Sequence, residues 1–296
     1  MLYHILVFLS DICCLLPASV ARFIGKILGE LTWIVVPKKR KQMAMHNIER
    51  CLKVSTDKAE QIAKKSWTRF GPMIMEVLRF KVICKNIDKY VTIKGEENIK
   101  KAMSYGNGGV IATAHSGNWE IIGAALTHKG MKIAGVAQHQ RNEGVNNFIN
   151  YCRAFTGMHI TDKLDIKEMM KMLGQKYFIG LIMDQDGGST GIIMPFLGYE
   201  ASCVQGPAVM SRFKSAPILP AFITEDKKRP GHHILTVLEP VFTAKTKDKQ
   251  KDIYDMMASL TSLVEQHIRD YPEEWFWLHD RWKYVERKKK EANNLQ

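Results

Sequence analysis

Hydrophobic and polar positions fall into three textures along the chain. Residues 1–36 are mostly apolar, from Met1-Leu2-Tyr3 through Ile5-Leu6-Val7-Phe8-Leu9 to Trp33-Ile34-Val35-Val36, interrupted by Asp11, Arg22, Lys26 and Glu30. Residues 43 to about 91 repeat at helical spacing, with Ser55-Thr56-Asp57 as a helix start, Glu60 placed like the back half of a capping box, and Gly71-Pro72 as punctuation. From Tyr90 onward, short apolar runs alternate with amphipathic stretches. The runs predict strands at 91–94, 110–114, 132–136, 178–183, 192–196, 218–223 and 233–238, and the stretches between them predict helices near 96–105, 118–128, 143–156, 165–174, 206–215 and 249–269. Short buried strands alternating with helices predict an α/β layer fold, with a largely parallel central sheet flanked by helices. The simplest partition is an N-terminal helical segment (1–41), an α/β domain (42–286) and a disordered basic tail (287–296) that opens on Arg287-Lys288-Lys289-Lys290.

The first segment admits three readings. A secretory signal peptide needs a charged leading region, and only the α-amino group precedes this apolar run, although Ala18-Ser19-Val20-Ala21 resembles a cleavage site. A pair of core helices in a soluble domain is the plain alternative. The preferred reading is a membrane-seated helical hairpin or marginal anchor, because Lys38-Lys39-Arg40-Lys41 follows at once and suits anionic headgroups. No uncharged run reaches the length of a clean spanning helix. The basic cluster also favours a cytoplasmic location for that end.

Charge narrows the partners. Forty-three Lys and Arg against 30 Asp and Glu leave a formal +13, which favours nucleic acid, acidic lipid or an acidic carrier protein. No helix-turn-helix, RNA-recognition or zinc pattern is visible and the basic residues are dispersed, so nucleic acid is set aside. The six cysteines include no CxxC pair and suggest neither a disulfide framework nor a zinc site; a reducing compartment is expected, with no metal. There is no GxxxxGK[ST], GxSxG or HExxH, and Gly106-Asn107-Gly108-Gly109 precedes a strand where a dinucleotide fingerprint must follow one.

The candidate chemistry lies in Gly109-Val110-Ile111-Ala112-Thr113-Ala114-His115-Ser116-Gly117-Asn118-Trp119-Glu120. An apolar strand runs into a histidine, then a small turn, then a helix. Active sites of open α/β sheets lie at the carboxyl ends of strands, where His115 falls. Five residues along one helix are about 140° apart, so His115 and Glu120 can cooperate only if His115 precedes the helix and Gly117 lets the chain fold back. Glu120 is then expected to accept from one imidazole nitrogen, leaving the other to take a proton from an alcohol. Against this stands the plain alternative of a histidine satisfied in the core.

These residues resemble the HxxxxD/E motif of the glycerolipid-type acyltransferases, in the Glu form of the late acyltransferases of lipid A biosynthesis. Three further blocks match in order: Arg141-Asn142 with Arg153; Met183-Asp184-Gln185-Asp186-Gly187-Gly188 followed by Met194-Pro195-Phe196-Leu197-Gly198 and Gly206-Pro207-Ala208; and Pro272-Glu273-Glu274-Trp275-Phe276-Trp277-Leu278-His279-Asp280-Arg281-Trp282-Lys283. The resemblance implies transfer of a fatty acyl chain from an acyl carrier protein thioester to a hydroxyl of a lipid A precursor, without a bound cofactor, on the cytoplasmic face of the bacterial inner membrane. It implies His115 as general base and Glu120 as its partner. Arg153, Asn118, Asp184, Gln185 and Arg281 are the expected substrate-binding residues. Other acceptors, such as a glycerolipid or a mannosylated phosphatidylinositol, stay open, as does a non-enzymatic basic protein on anionic membrane.

Overall fold

Gly109–Thr113 is buried at every position, which marks a strand covered on both faces, as parallel strands are. In the computed structural model, which describes residues 1–294, this run is the centre of a sheet. The chain begins with helices α1 (Leu2–Leu15), α2 (Ala18–Val35), α3 (Lys38–Leu52), α4 (Thr56–Thr68), α5 (Phe70–Leu78), α6 (Phe80–Ile83) and α7 (Ile87–Tyr90). Alternation then sets in: β1 (Val91–Lys94), α8 (Glu96–Ser104), β2 (Gly109–Thr113), α9 (Trp119–His128), β3 (Ile133–Ala137), α10 (Glu143–Ala154), β4 (His159–Asp162), α11 (Ile166–Gly174) and β5 (Phe178–Ile182). A hairpin of β6 (Ile192–Phe196) and β7 (Tyr199–Cys203) precedes α12 (Gly206–Lys214), β8 (Ile218–Glu225), β9 (His233–Val237), α13 (Lys249–Asp270) and α14 (Lys283–Asn293).

The described strands form a seven-stranded sheet in the order β1-β9-β8-β2-β5-β3-β4, with β6–β7 apart as an antiparallel pair. All neighbours in the large sheet run parallel except β8 and β9. The expected α/β fold with a largely parallel central sheet flanked by helices is therefore present, and each predicted strand lies within two residues of an observed one at either end. Two strands escaped the apolar pattern. β4 is an edge strand with one buried position, and β7 carries Glu200 on a hairpin whose partner alone looked strand-like. One core cluster fills the side of the sheet under the C-terminal tryptophans and the other lies beneath α9.

The N-terminal helices are built onto this frame. Gly25 and Gly29 of α2 face α5 and the end of α4 so closely that a Cβ on Gly25 would come 2.7 Å from Pro72 Cα, and one on Gly29 would overlap the Thr68 carbonyl. Arg22 of the same helix pairs with Glu225 at the end of β8. Residue 41, the expected boundary, falls inside α3, so the helical segment and the α/β domain are continuous there. Among the described residues no helix is long and apolar enough to cross a membrane. Ser55 caps α4 through Lys58 N, three residues on, which leaves Glu60 too far along the helix to close a capping box. The tail expected to be disordered is helical through Asn293, tied down where Asp186 accepts from Tyr284 N (3.0 Å) and Lys289 meets Glu200 (2.9 Å). Residues 295–296 of that expected tail lie outside the described residues.

Candidate active site

β2 and β5 pair in parallel with Thr113 opposite Ile182, and the ladder continues as Met183 N donates to Thr113 O (3.0 Å). Two residues beyond that pair on each strand stand His115 and Asp184. Sheet register therefore sets them face to face at the carboxyl edge. His115 Nδ1 lies 2.8 Å from Asp184 Oδ1, and the His115 backbone N–H donates to Oδ2 of the same carboxylate (3.0 Å). Trp275 Nε1 donates to Oδ2 as well (2.6 Å). Asp184 is buried; burial works against its charge, but the His115 imidazole and the three hydrogen bonds outweigh it and hold the carboxyl at about 2. An ionised carboxylate only accepts, so Nδ1 is the nitrogen that carries a proton, and in the neutral ring Nε2 is the acceptor. That nitrogen makes no hydrogen bond among the described residues, on a side chain that is partly exposed.

The turn after His115 is braced from three directions. Gly117 adopts φ +55°, and a Cβ there would overlap the Ile223 carbonyl, so the reversal requires glycine. Gly117 N donates to Glu274 O (3.1 Å) and Phe276 N to His115 O (3.1 Å), binding the turn to the C-terminal segment. Half-buried Arg69 donates to Gly117 O (2.7 Å) and His115 O (3.3 Å); loss of solvation brings its guanidinium down to about 10, against the pull of Glu274 and Asp184. Ser116 Oγ meets His267 Nε2 at 2.7 Å, and His267 stacks on Phe222. Burial pushes His267 down to about 4, partly opposed by Asp270 and Asp184, so this ring is neutral at pH 7.

Glu120, in the first turn of α9, does not meet His115. Its carboxylate is taken by Arg153 of α10 in a two-pronged pair, Nε to Oε2 at 2.8 Å and Nη2 to Oε1 at 2.7 Å. Burial disfavours the Arg153 charge, but the Glu120 carboxylate more than compensates and raises its pKa. The expectation that Glu120 orients the imidazole is thus corrected. The helix start carries Glu120 toward α10, while the neighbouring strand supplies Asp184. Both residues of the pair line a cavity of about 80 Å³ that is otherwise apolar save for Thr113, walled by β2, β3, β5, α9, Met158 and Ile160 of β4. Trp119 connects the two parts: it lines the cavity and meets the His115 ring edge-on at 4.9 Å between centroids.

The sequence pattern of bacterial lipid A biosynthesis acyltransferases matches residues 1–284. The chain belongs to that family. Among its relatives, the lipid A biosynthesis lauroyltransferase of Escherichia coli K12 is 24% identical over 276 residues, 90% of this chain and 87% of that protein. The phosphatidylinositol mannoside acyltransferase of Mycobacterium tuberculosis CDC 1551 is 22% identical over 214 residues, 70% of this chain; the chain spans 64% of that relative's length. The 1-acyl-sn-glycerophosphate acyltransferase structure from Thermotoga maritima aligns over 84% of this chain and 98% of its own, at 13% identity and TM-score 0.37.

Within this acyltransferase family member the remaining expected residues divide sharply. Arg153 lines the cavity. Asp184 is at the site but buried beneath His115, a partner of the imidazole where a substrate contact was expected. Gln185 follows it, half-buried. Asn118 is buried, and its amide donates to Glu76 Oε2 (2.7 Å), which also meets His233 Nε2 at 3.0 Å. It ties α9 to α5 and offers no surface to a substrate. Arg281 is wholly buried, donating to Ser202 O (2.6 Å) and Cys203 Sγ (2.9 Å) over the Phe196 ring. Its substrate-binding assignment is likewise corrected: a charge-assisted bond to the Ser202 carbonyl and another to the Cys203 sulfur hold two of its nitrogens inside the core, on β7. Trp275, Trp277 and Trp282 are core residues too, and His279 accepts from Asp186 N (3.2 Å) with its pKa lowered to about 4 by burial. Arg69 and His267 were missed entirely, since nothing in their local sequence links them to residue 115.

Proposed function

We propose that the protein transfers a fatty acyl chain from an acyl carrier protein thioester to a hydroxyl of a lipid A precursor or a closely similar glycolipid. The observation that carries this reading is the His115–Asp184 pair, with Nδ1 against the carboxylate, Nε2 without a partner among the described residues, and Trp119 packed between the ring and an apolar cavity. In the reaction Nε2 takes the proton of the acceptor hydroxyl as its oxygen attacks the thioester carbonyl carbon. Asp184 steadies the imidazolium that forms. Collapse of the tetrahedral intermediate breaks the carbon–sulfur bond, and the departing thiolate takes the proton back from His115. A thioester is already activated, so base, position and charge stabilisation suffice, and no acyl-enzyme is needed. The apolar cavity suits the acyl chain. The Glu120–Arg153 pair at its polar end suits the acceptor, with Arg153 offering its charge to a phosphate or to the developing oxyanion. The resemblance's role for Glu120 survives here in altered form, as the residue that holds Arg153.

The setting follows from the N-terminal helices. Phe8, Leu15, Phe23, Leu31, Ile34 and Val35 are exposed on α1 and α2, an apolar face that water does not favour. Lys38 to Lys41 follow directly. Together they suit seating in the interface of an anionic bilayer, on the cytoplasmic face of the bacterial inner membrane, without spanning it. The dispersed positive charge suits an acidic carrier protein as well. The direct test incubates purified protein in detergent with acyl carrier thioesters and a panel of acceptors: lipid A precursor, phosphatidylinositol mannoside and lysophosphatidic acid. Acylation of the lipid A precursor above the others is expected. Acylation of another acceptor alone replaces the acceptor assignment, and turnover undiminished in His115→Ala removes the base.

A further inference from the structure

The cavity under Glu120 and Arg153 is layered by the sheet register. Thr113, Ile182 and Ala137 form its upper layer at the carboxyl edge; below them, Ile111 pairs with Gly180 and Gly180 with Gly135. The two glycines open the middle of the sheet surface where side chains would otherwise stand. α9 runs back over this surface, and Gly123, one turn below Glu120, opens it from above. The lane ends on Met158, which precedes β4 and so lies at the amino edge, opposite the mouth. Its thioether occupies the place of the side chain that Gly123 lacks: a Cβ at Gly123 would overlap the Met158 sulfur, with Cε at 2.7 Å and Cγ at 2.9 Å. A Cβ at Gly135 would stand 3.6 Å from the same sulfur.

We infer that Met158, seated in the notch left by Gly123, is a movable floor that sets the length of acyl chain the protein accepts. The reading rests on the proposal that this cavity takes the acyl chain. A space of about 80 Å³ holds only about five to eight methylene-sized groups, taking the ~10–15 Å³ that a water-sized group needs on the same measure. A fatty chain must therefore displace part of the wall. The branched side chains Ile111, Ile133 and Ile160 are stiff, whereas methionine has three rotatable side-chain bonds and no branch. Met158 is only half-buried, so it has somewhere to go. Glycine at 123 is what lets the sulfur retract toward α9, and glycine at 135 keeps the sheet side clear.

Substitutions on the two sides of this contact are expected to act in opposite directions. The experiment gives the full-length protein in detergent an equimolar mixture of carrier thioesters with saturated chains of graded length, and reads the product lengths by mass spectrometry. Met158→Ala removes three heavy atoms and is expected to move the optimum longer by about two to three carbons, with selection against those longer chains relaxed about tenfold. Gly123→Ala pushes the sulfur into the lane and is expected to move the optimum shorter; alanine in a helix interior also favours the helix, so the fold is kept. Met158→Leu, close in volume, is expected to keep the original optimum. An unchanged optimum in both Met158→Ala and Gly123→Ala, or a shift of both in one direction, overturns the inference while wild-type transfer proceeds. Wild-type protein that transfers no chain from any thioester overturns the acyl-cavity reading itself, and this inference with it. Thermal unfolding of each variant separates a lost fold from a changed preference.

Discussion

Oδ2 of Asp184 accepts both the His115 backbone N–H and the Trp275 indole N–H, while Oδ1 faces the His115 ring nitrogen Nδ1 at 2.8 Å. That division of labour gives a sharp outcome for Asp184→Asn. Two donors demand the amide oxygen at the Oδ2 position, so the amide NH₂ must face Nδ1. The ring is then forced to accept at Nδ1 and carry its proton on Nε2, the wrong tautomer for a base. Acyl transfer is expected to fall by roughly a thousandfold, as for an orienting carboxylate in a base pair of this type, with KM little changed. Steady-state kinetics alongside circular dichroism check this; a variant within tenfold of wild type removes Asp184 from the mechanism.

Glu120 and Arg153 act as one unit, because each satisfies the other's charge in a setting where both side chains are less than one-fifth exposed. Glu120→Ala and Arg153→Ala are therefore expected to be non-additive. The double variant should be no less active than the worse single one. The coupling free energy for stability from urea denaturation should be on the order of 1–2 kcal/mol, between an exposed pair and a buried one. Simple additivity in a double-mutant cycle contradicts the pairing. Had Glu120 served the imidazole instead, the coupling partner would be His115.

That contrast shows what the sequence could and could not convey. The strands and helices were legible because their hydrophobic periods are local, and His115 at a strand's carboxyl end was legible for the same reason. Asp184 was legible as a polar residue closing another strand. What no local pattern carries is that β5, sixty-odd residues on, lies beside β2 in a register that sets residue 184 against residue 115. Glu120, by contrast, stood close in sequence and drew the assignment. The buried Arg281 misled through its type: an arginine among aromatics looks like a ligand site until its donors are found on Ser202 and Cys203. The helical tail was hidden because its seven or so basic and polar residues gain order from two tertiary contacts, not from an apolar stripe.

Acid should loosen the brace around the catalytic turn. His267 and His279 are each held down to about 4 by burial, against an ordinary value near 6.5 in the unfolded chain. Between those limits the unfolded state binds more protons than the folded one, so stability rises with pH across that window and is lost as pH falls through it. The slope is on the order of 1 kcal/mol per pH unit for each histidine. Urea denaturation from about pH 4.5 to 7 measures it. His267→Gln, which keeps a polar partner for Ser116 Oγ without titrating there, is expected to flatten the slope by about half. A slope equal to that of wild type shows that His267 does not titrate on unfolding.

The two faces of α2 should respond differently to substitution. One face is locked to the protein: Gly29 lies against the Thr68 carbonyl, Gly71 against the Gly25 carbonyl, and Arg22 pairs with Glu225. Gly29→Leu puts a side chain where backbone already stands, and backbone cannot retreat as a side-chain tip can. It is expected to destabilise the protein by about 1–3 kcal/mol or more, seen as a lowered urea midpoint in detergent. The other face carries Phe23, Leu31, Ile34 and Val35, which touch solvent and little else. Phe23→Glu with Ile34→Glu is expected to leave the urea midpoint within about 0.5 kcal/mol of wild type, as surface changes do. Cosedimentation with vesicles containing anionic lipid should fall at least tenfold, since two buried aromatic and aliphatic side chains are worth about 1.5–3 kcal/mol each at an apolar boundary. Salt should weaken what binding remains, because Lys38 to Lys41 then act alone. Undiminished cosedimentation removes this face of α2 from the membrane contact. Deletion of residues 1–36 is a poorer test: it also strips the glycine-lined face from α5, so an insoluble product is expected whether or not the exposed face meets lipid.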